Sequence, residues 1–165
     1  MYLTRESFKK RVIKINIPYW NEGWRYRWLY MKIVIQWMQE IRPRRILEAG
    51  SSKMPLNTVS YLFDLPQHDL NKIPYPFQDK FFDIAVALQV WEHLDKQAEA
   101  FREFARISKN IILSFPYRWD FGDNKHRGID DKKILTWSCG IKPDRSTVIM
   151  QRNICLWNDK TLDNI

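Results

Sequence analysis

Three places in the sequence bring together residue types that could do chemistry. Glu48-Ala49-Gly50-Ser51 closes a short apolar run. A glycine there lets a ligand approach the backbone, and the carboxylate and hydroxyl beside it can form hydrogen bonds. Gln89-Val90-Trp91-Glu92-His93 follows a second apolar run and supplies an amide, a carboxylate and an imidazole. His126 lies in Asp123-Asn-Lys-His-Arg-Gly-Ile-Asp130, and an imidazole, which titrates near neutral pH, can exchange protons with a bound substrate. Each place also has a plainer reading: a simple turn at Gly50, a helix cap or surface charge at Glu48, capping and packing at His93, a backbone contact within an ordered loop at His126.

These groups need rigid elements to hold them. From Trp24 to Ile41 the large apolar residues Trp24, Trp28, Met31, Val34, Ile35, Met38 and Ile41 recur at steps of three and four, which predicts a core-facing helix stopped before Pro43. Trp20, Trp24, Trp28 and Trp37 suggest a stacking platform, but at this spacing packing is the expected role. Strands are expected at Arg44–Ala49, Val59–Phe63, Phe82–Leu88 and Asn110–Pro116. A surface helix capped by Asp95 runs to Ser108, with Glu103 and Arg106 facing water. Tyr117–Gly128 has no period and reads as a loop. A helix then starts at Asp130 and ends near Gly140, one further strand covers Ser146–Trp157, and the polar residues from Asn158 on are expected to fray. Strand, helix and strand in this order predict an α/β fold, Rossmann-like, with a mostly parallel sheet flanked by helices. One domain over 1–165 is expected, with a helical segment over 1–43. In such sheets ligands bind beyond the C-terminal ends of the strands, where Gly50 and Gln89 fall.

Two ordered segments carry a resemblance. Arg45-Ile-Leu-Glu-Ala-Gly-Ser-Ser is followed by Ile73-Pro-Tyr-Pro-Phe-Gln-Asp-Lys-Phe-Phe-Asp-Ile-Ala-Val-Ala-Leu-Gln-Val-Trp-Glu-His-Leu. From Arg45 to Pro116 the chain resembles class I S-adenosylmethionine-dependent methyltransferases of the small-molecule type, in shortened form. The resemblance implies S-adenosylmethionine as cofactor and methyl transfer to a small-molecule acceptor. It implies that Glu48 anchors the cofactor ammonium beside Gly50 and Ser51, that Asp64 accepts from the ribose hydroxyls, that Asp69 and Leu70 meet the adenine, and that Gln89 faces the methionine portion. A turn before Pro66 accounts equally well for Asp64. Asp83 falls where the family uses an aspartate to organise the sheet. Methyl transfer requires the acceptor to be held in line and water to be excluded. Where the acceptor must lose a proton, His126 is the candidate base, with Tyr117 and Asp120 as supports. No metal site is expected; His126, Asp123 and Asp130 are the residues that sequence proximity would offer for one.

The chain departs from the family pattern in two ways. Ser52 stands where the family has a second glycine, and about nine residues separate Ala49 from Val59, fewer than the dozen or more of an ordinary parallel crossover. The second strand is therefore reached by an irregular connection, or it is displaced or antiparallel. The stretch from Asp64 to Asp69 leaves no room for a second helix, so one wall of an adenosine pocket is reduced or comes from another subunit. A non-catalytic binding or scaffold domain is the alternative these departures raise.

Composition bounds the remainder. With 165 residues, 45% of them hydrophobic, the chain can bury a core without disulfides or metals. Cys139 and Cys155 are the only cysteines, too far apart for a CxxC site, and both are expected to pack. No apolar run has the length of a signal peptide core or a membrane span, so a soluble cytoplasmic protein is expected. Lysine and arginine number 27 against 19 acidic residues, a net charge of +8 that favours an anionic acceptor. Nucleic-acid binding is a third reading and rests on this charge alone, since no recognised motif accompanies it.

Overall fold

A computed structural model of the chain describes residues 1–51, 54–163 and 165, apart from the side chains of Tyr19 and Trp20. Ser52 and the Trp20 side chain, both singled out in the sequence, lie outside the described residues.

The apolar runs pair as strands. β1 (Ile46–Ala49), β2 (Tyr61–Phe63), β3 (Ile84–Leu88), β4 (Ile111–Pro116), β5 (Arg145–Ile149) and β6 (Arg152–Trp157) form one sheet in the order β2-β1-β3-β4-β6-β5. β1 pairs in parallel with both β2 and β3, β3 with β4 in parallel, and β6 runs antiparallel between β4 and β5. The strands buried on both faces carry near-continuous Ile, Leu, Val and Ala, as sandwiched parallel strands do. α1 (Arg5–Ile15) and α3 (Trp24–Ile41) cover one face, packing Phe8, Val12, Met31, Val34 and Met38 on Ile46, Ile84, Val86 and Ile112. α4 (Gln97–Ile107) and α5 (Asp131–Trp137) cover the other, with Phe101, Phe104, Ile134 and Trp137 against Ala85, Leu113 and Phe115. Trp24 and Trp28 pack on Phe8, with ring centroids 6.5 and 5.9 Å away, so these tryptophans join α3 to α1. A short helix α2 (Pro18–Asn21) links those two.

The second strand is parallel, in register Leu47↔Tyr61 to Ala49↔Phe63. The connection to it contains no helix among its described residues, and its backbone is tied down by other means. Leu56 N and Asn57 N donate to the two oxygens of Glu48 at 2.7 and 3.0 Å, the Ser60 hydroxyl donates to the same carboxylate, and Leu3 N donates to Leu56 O at 2.7 Å. The long segment between β2 and β3 also lacks a helix. It is clamped to α4: Tyr75 N donates to Glu103, while Arg106 donates to the carbonyls of Tyr75 and Phe77 and to Asp79. Glu103 and Arg106 are therefore half-buried fasteners rather than solvent-facing charges, because a helix-free loop must find partners for its carbonyls.

Three further expectations are corrected. α4 begins after Lys96, which makes no side-chain cap, and the Asp95 amide donates to Asn71 Oδ1 instead. The segment from Ser146 to Trp157 is a hairpin of two strands, turned at Met150 and Gln151 with φ of 48° and 54°. Two consecutive positive φ values make the tight turn that suits strand twist, but neither residue is a usual signal for one. The C-terminus does not fray at Asn158: α6 (Asp159–Leu162) buries Leu162 and brings Asp159 to Lys80 at 2.8 Å.

Asp83 holds the N-terminal edge of the sheet. Its Oδ2 accepts from Arg44 N and Arg45 N at 2.9 and 3.0 Å, and Oδ1 pairs with Lys109 at 2.9 Å. Burial pushes this carboxyl up, but Lys109 and the two amides outweigh it and hold the pKa at about 2, below the usual 3.8. A lowered carboxylate pKa stabilises the fold above its unfolded value, and that gain is lost as pH falls through the folded one. Partial exposure screens the effect. We expect Asp83→Asn to cost about 1–2 kcal/mol at pH 7 and almost nothing below pH of about 2, read from urea unfolding at both pH values.

Candidate functional site

β1 lies between β2 and β3: the chain leaves it for β2 on one side and returns to β3 on the other. At such a switch point the loops diverge and leave a crevice beyond the strand ends. A cleft of about 290 Å³ lies there, lined by Glu48, Ala49, Gly50 and Ser51 from the β1 end, by Leu88 and Gln89 from the β3 end, and by Tyr30 and Met31 of α3. Its size approaches the lower end of small-molecule sites.

The groups in this cleft differ in how free they are. Glu48 is buried, and its oxygens are engaged by Leu56, Asn57 and Ser60. Burial raises its pKa, against the hydrogen bonds from Ser60, Leu56 and Asn57. Gly50 adopts φ of +67°, and a β-carbon on it would meet Val90 Cγ2 at 2.3 Å. Its missing side chain thus makes room for Val90. Gln89, also at positive φ, lines the cleft and donates from its side-chain amide to Ser114 Oγ at 3.1 Å. Ser51 Oγ is buried with no hydrogen-bond partner among the described residues, and a buried hydroxyl left so is available to a ligand.

The other expected cofactor residues lie apart from this cleft. Asp64 ends β2, adjacent to β1 through the Gly50 N to Phe63 O bond of 3.3 Å. It lines a shallow depression with Leu62, Leu65, Gln67 and His68, and the His68 ring stacks on Phe63 at 4.5 Å. Asp69 accepts from Asn71 N at 2.9 Å within its own turn. Leu70 is buried in the core, and its carbonyl accepts from the Tyr75 hydroxyl at 2.8 Å.

A second group of polar side chains gathers at the ends of β3 and β4. Glu92 and His93 belong to a 3-10 turn, Trp91–His93, directly after β3, and His126 belongs to the loop after β4. Since β3 and β4 are parallel neighbours, their C-terminal loops meet. Glu92 is buried, and burial pushes its carboxyl up to about 7. Burial also lowers the pKa of His93, helped by His126 and Lys125. His126 Nδ1 donates to Asp123 Oδ1, and its ring lies parallel to that of Trp119. Tyr117 is elsewhere in use, with its hydroxyl donating to Asp131 Oδ2 at 2.9 Å and burial raising its pKa. Sequence order alone pairs His126 with Tyr117 and Asp120. The structure joins it to Glu92 and His93, and the available signal was that both stretches follow adjacent strands.

Comparison with known proteins accords with this layout. Residues 43–110 match the family model described as a methyltransferase domain. No curated protein matches the sequence. Among solved structures, the chain resembles a methyltransferase from Thermotoga maritima, a possible histamine N-methyltransferase, at 11% identity, TM-score 0.51, covering 85% of this chain and 99% of that one. It resembles a methyltransferase from Aquifex aeolicus at 13% identity, TM-score 0.53, covering 93% and 98%. It also resembles magnesium protoporphyrin IX methyltransferase from Synechocystis PCC 6803, solved with S-adenosylhomocysteine, at 12% identity, TM-score 0.57, covering 79% and 82%. Residues 43–110 thus match the methyltransferase-domain model, and the chain shares the Rossmann-like fold of these solved methyltransferases.

Proposed function

We propose that this protein transfers a methyl group from S-adenosylmethionine to a small-molecule acceptor. The observation that carries the reading is the cleft at the β1/β3 switch point, whose floor comes from the segment that matches the methyltransferase domain and whose wall includes Tyr30 and Met31 of α3. Its residues fit an amino-acid-like end of a ligand: the Ser51 hydroxyl lacks a partner among the described residues, Gln89 lines the cleft, and Met31, Met54 and Leu56 supply an apolar wall. Gly50 and Glu48 shape that end. The adenosine half is assigned to the neighbouring β2 end, where Asp64, whose Oδ1 accepts from Leu65 N at 2.9 Å, lines a depression beside the aromatic face of the Phe63–His68 stack. Asp69 and Leu70 contribute through the loop they hold. When bound, S-adenosylmethionine supplies an electrophilic methyl on a sulfonium.

The protein's own task is then placement and exclusion of water. Glu92, His93 and His126 are the groups on the acceptor side able to handle a proton, and Tyr117 is not part of that set because Asp131 holds its hydroxyl. The net charge of +8 supports an anionic acceptor. A cytoplasmic location belongs to the same reading, supported by two cysteines that are both free; no described helix is long and apolar enough to cross a membrane.

The test is turnover. Incubation with methyl-labelled S-adenosylmethionine and a panel of anionic and neutral hydroxyl and amine acceptors should release S-adenosylhomocysteine only when an acceptor is present. Gln89→Ala should raise the KM for the methyl donor about tenfold, the usual effect of losing one hydrogen bond to a charged ligand. No acceptor-dependent release across the panel, together with no effect of Gln89→Ala on donor binding, would remove the reading.

A further inference from the structure

Glu92, His93 and His126 each bring one ligand atom within 4.8 Å of the others. We propose that these three side chains form a site for a divalent first-row transition ion, with Asp123 orienting His126. Two imidazoles and one carboxylate suit zinc, manganese, iron or cobalt, whereas calcium and magnesium prefer all-oxygen sites.

Three observations support the site independently. Glu92 is only 4% exposed, and its Oε2 has no hydrogen-bond partner among the described residues. A buried carboxylate oxygen in that condition is costly unless something fills the place. Next, Asp123 Oδ1 accepts from His126 Nδ1, which fixes the tautomer and leaves Nε2 with its lone pair. A carboxylate behind a histidine is the usual support for a metal ligand. Finally, the rings of His93 and His126 meet edge-on, with centroids 5.0 Å apart at 76°, so both can turn a nitrogen toward a common point. Ligand atoms on one ion with bonds of about 2.1 Å stand roughly 3–4 Å apart, and small side-chain rotations close the present spacing. Arg152 and Lys125 bring positive charge near the cluster, which the carboxylates of Glu92 and Asp123 oppose.

The ion would sit beside the strand-end cleft. Trp119 stacks on His126, and Arg152 lies over both Trp119 and Tyr30, at 5.1 and 5.5 Å from the ring centres, while Tyr30 lines the cleft. Three protein ligands leave positions open for water or for an acceptor oxygen, which a bound ion acidifies. His126 is then a ligand, and lowering the acceptor pKa falls to the ion. That use rests on the methyl-transfer reading, whereas metal binding itself does not.

The experiment uses tag-free protein stripped with EDTA, titrated with Co²⁺ by its visible absorption and with Zn²⁺ by calorimetry. One equivalent should bind with micromolar affinity or better. His93→Ala and His126→Ala should each weaken binding at least about 100-fold, and Asp123→Asn about 10–100-fold. The chain has three histidines, so His68→Ala is the control and should bind as wild type does. Glu92→Gln, close in shape, tests the carboxylate without opening a cavity, and near-ultraviolet circular dichroism reports whether each variant is folded. Absence of saturable binding by millimolar metal would overturn the site, as would unchanged binding in the His93→Ala/His126→Ala double variant. S-adenosylhomocysteine binding, measured on the same samples, separates the two ideas: metal binding without it sinks methyl transfer alone, and the reverse result sinks the metal site alone.

Discussion

Gly50→Ala should lose about 2–5 kcal/mol of stability, the sum of a left-handed backbone forced on an alanine and a steric overlap with Val90. The φ of +67° is inherently unfavourable for any residue with a β-carbon, and that carbon would lie 2.3, 3.2 and 3.3 Å from three Val90 side-chain atoms. A valine is branched next to its backbone and cannot swing aside as a long side chain would. The overlap and the backbone strain are separable. Val90→Ala removes the overlap and keeps the strain, so Gly50→Ala/Val90→Ala should be more stable than the sum of the single losses by about 1–3 kcal/mol. Strict additivity in urea unfolding would mean that Val90 does not fill the space beside Gly50.

Glu48→Ala should cost about 3–5 kcal/mol. Two buried amides, Leu56 N and Asn57 N, lose their acceptor, the Ser60 hydroxyl loses its partner, and a cavity remains. Glu48→Gln fills the space but turns an amide NH₂ toward a donor, and about 2–3 kcal/mol is expected. These losses should appear in the ligand-free protein, because Glu48 secures the helix-free path from β1 to β2. A Glu48 that served only as a ligand contact would leave unfolding unchanged and alter affinity alone, so the two roles are distinguished by measuring both quantities on the same variant.

The contrast between these two positions shows what the sequence discloses and what it withholds. The apolar steps of α3 and the buried runs of β1, β3 and β4 follow directly from burial on one face or two, so their positions can be read locally. Gly50 and Gln89 at strand ends follow from the same reading. The role of Glu48 does not, because its partners lie on an irregular connection with no period to announce them. Glu103 and Arg106 look like surface charges on the helix pattern, and only the helix-free loop opposite reveals them as clamps. The hairpin at Met150 and Gln151 lacks the glycine or asparagine that normally marks such a turn. His93 and His126 are far apart in the chain, and the parallel pairing of β3 with β4 is what makes them neighbours.

The central claim is that the strand-end cleft takes the methyl donor, and calorimetric titration of the wild-type protein with S-adenosylhomocysteine tests it most directly. Saturable one-to-one binding is expected, weakened about tenfold or more by Asp64→Ala and by Gln89→Ala in variants that urea unfolding shows to be folded. No heat of binding at millimolar ligand, or binding that both substitutions leave intact, would contradict it.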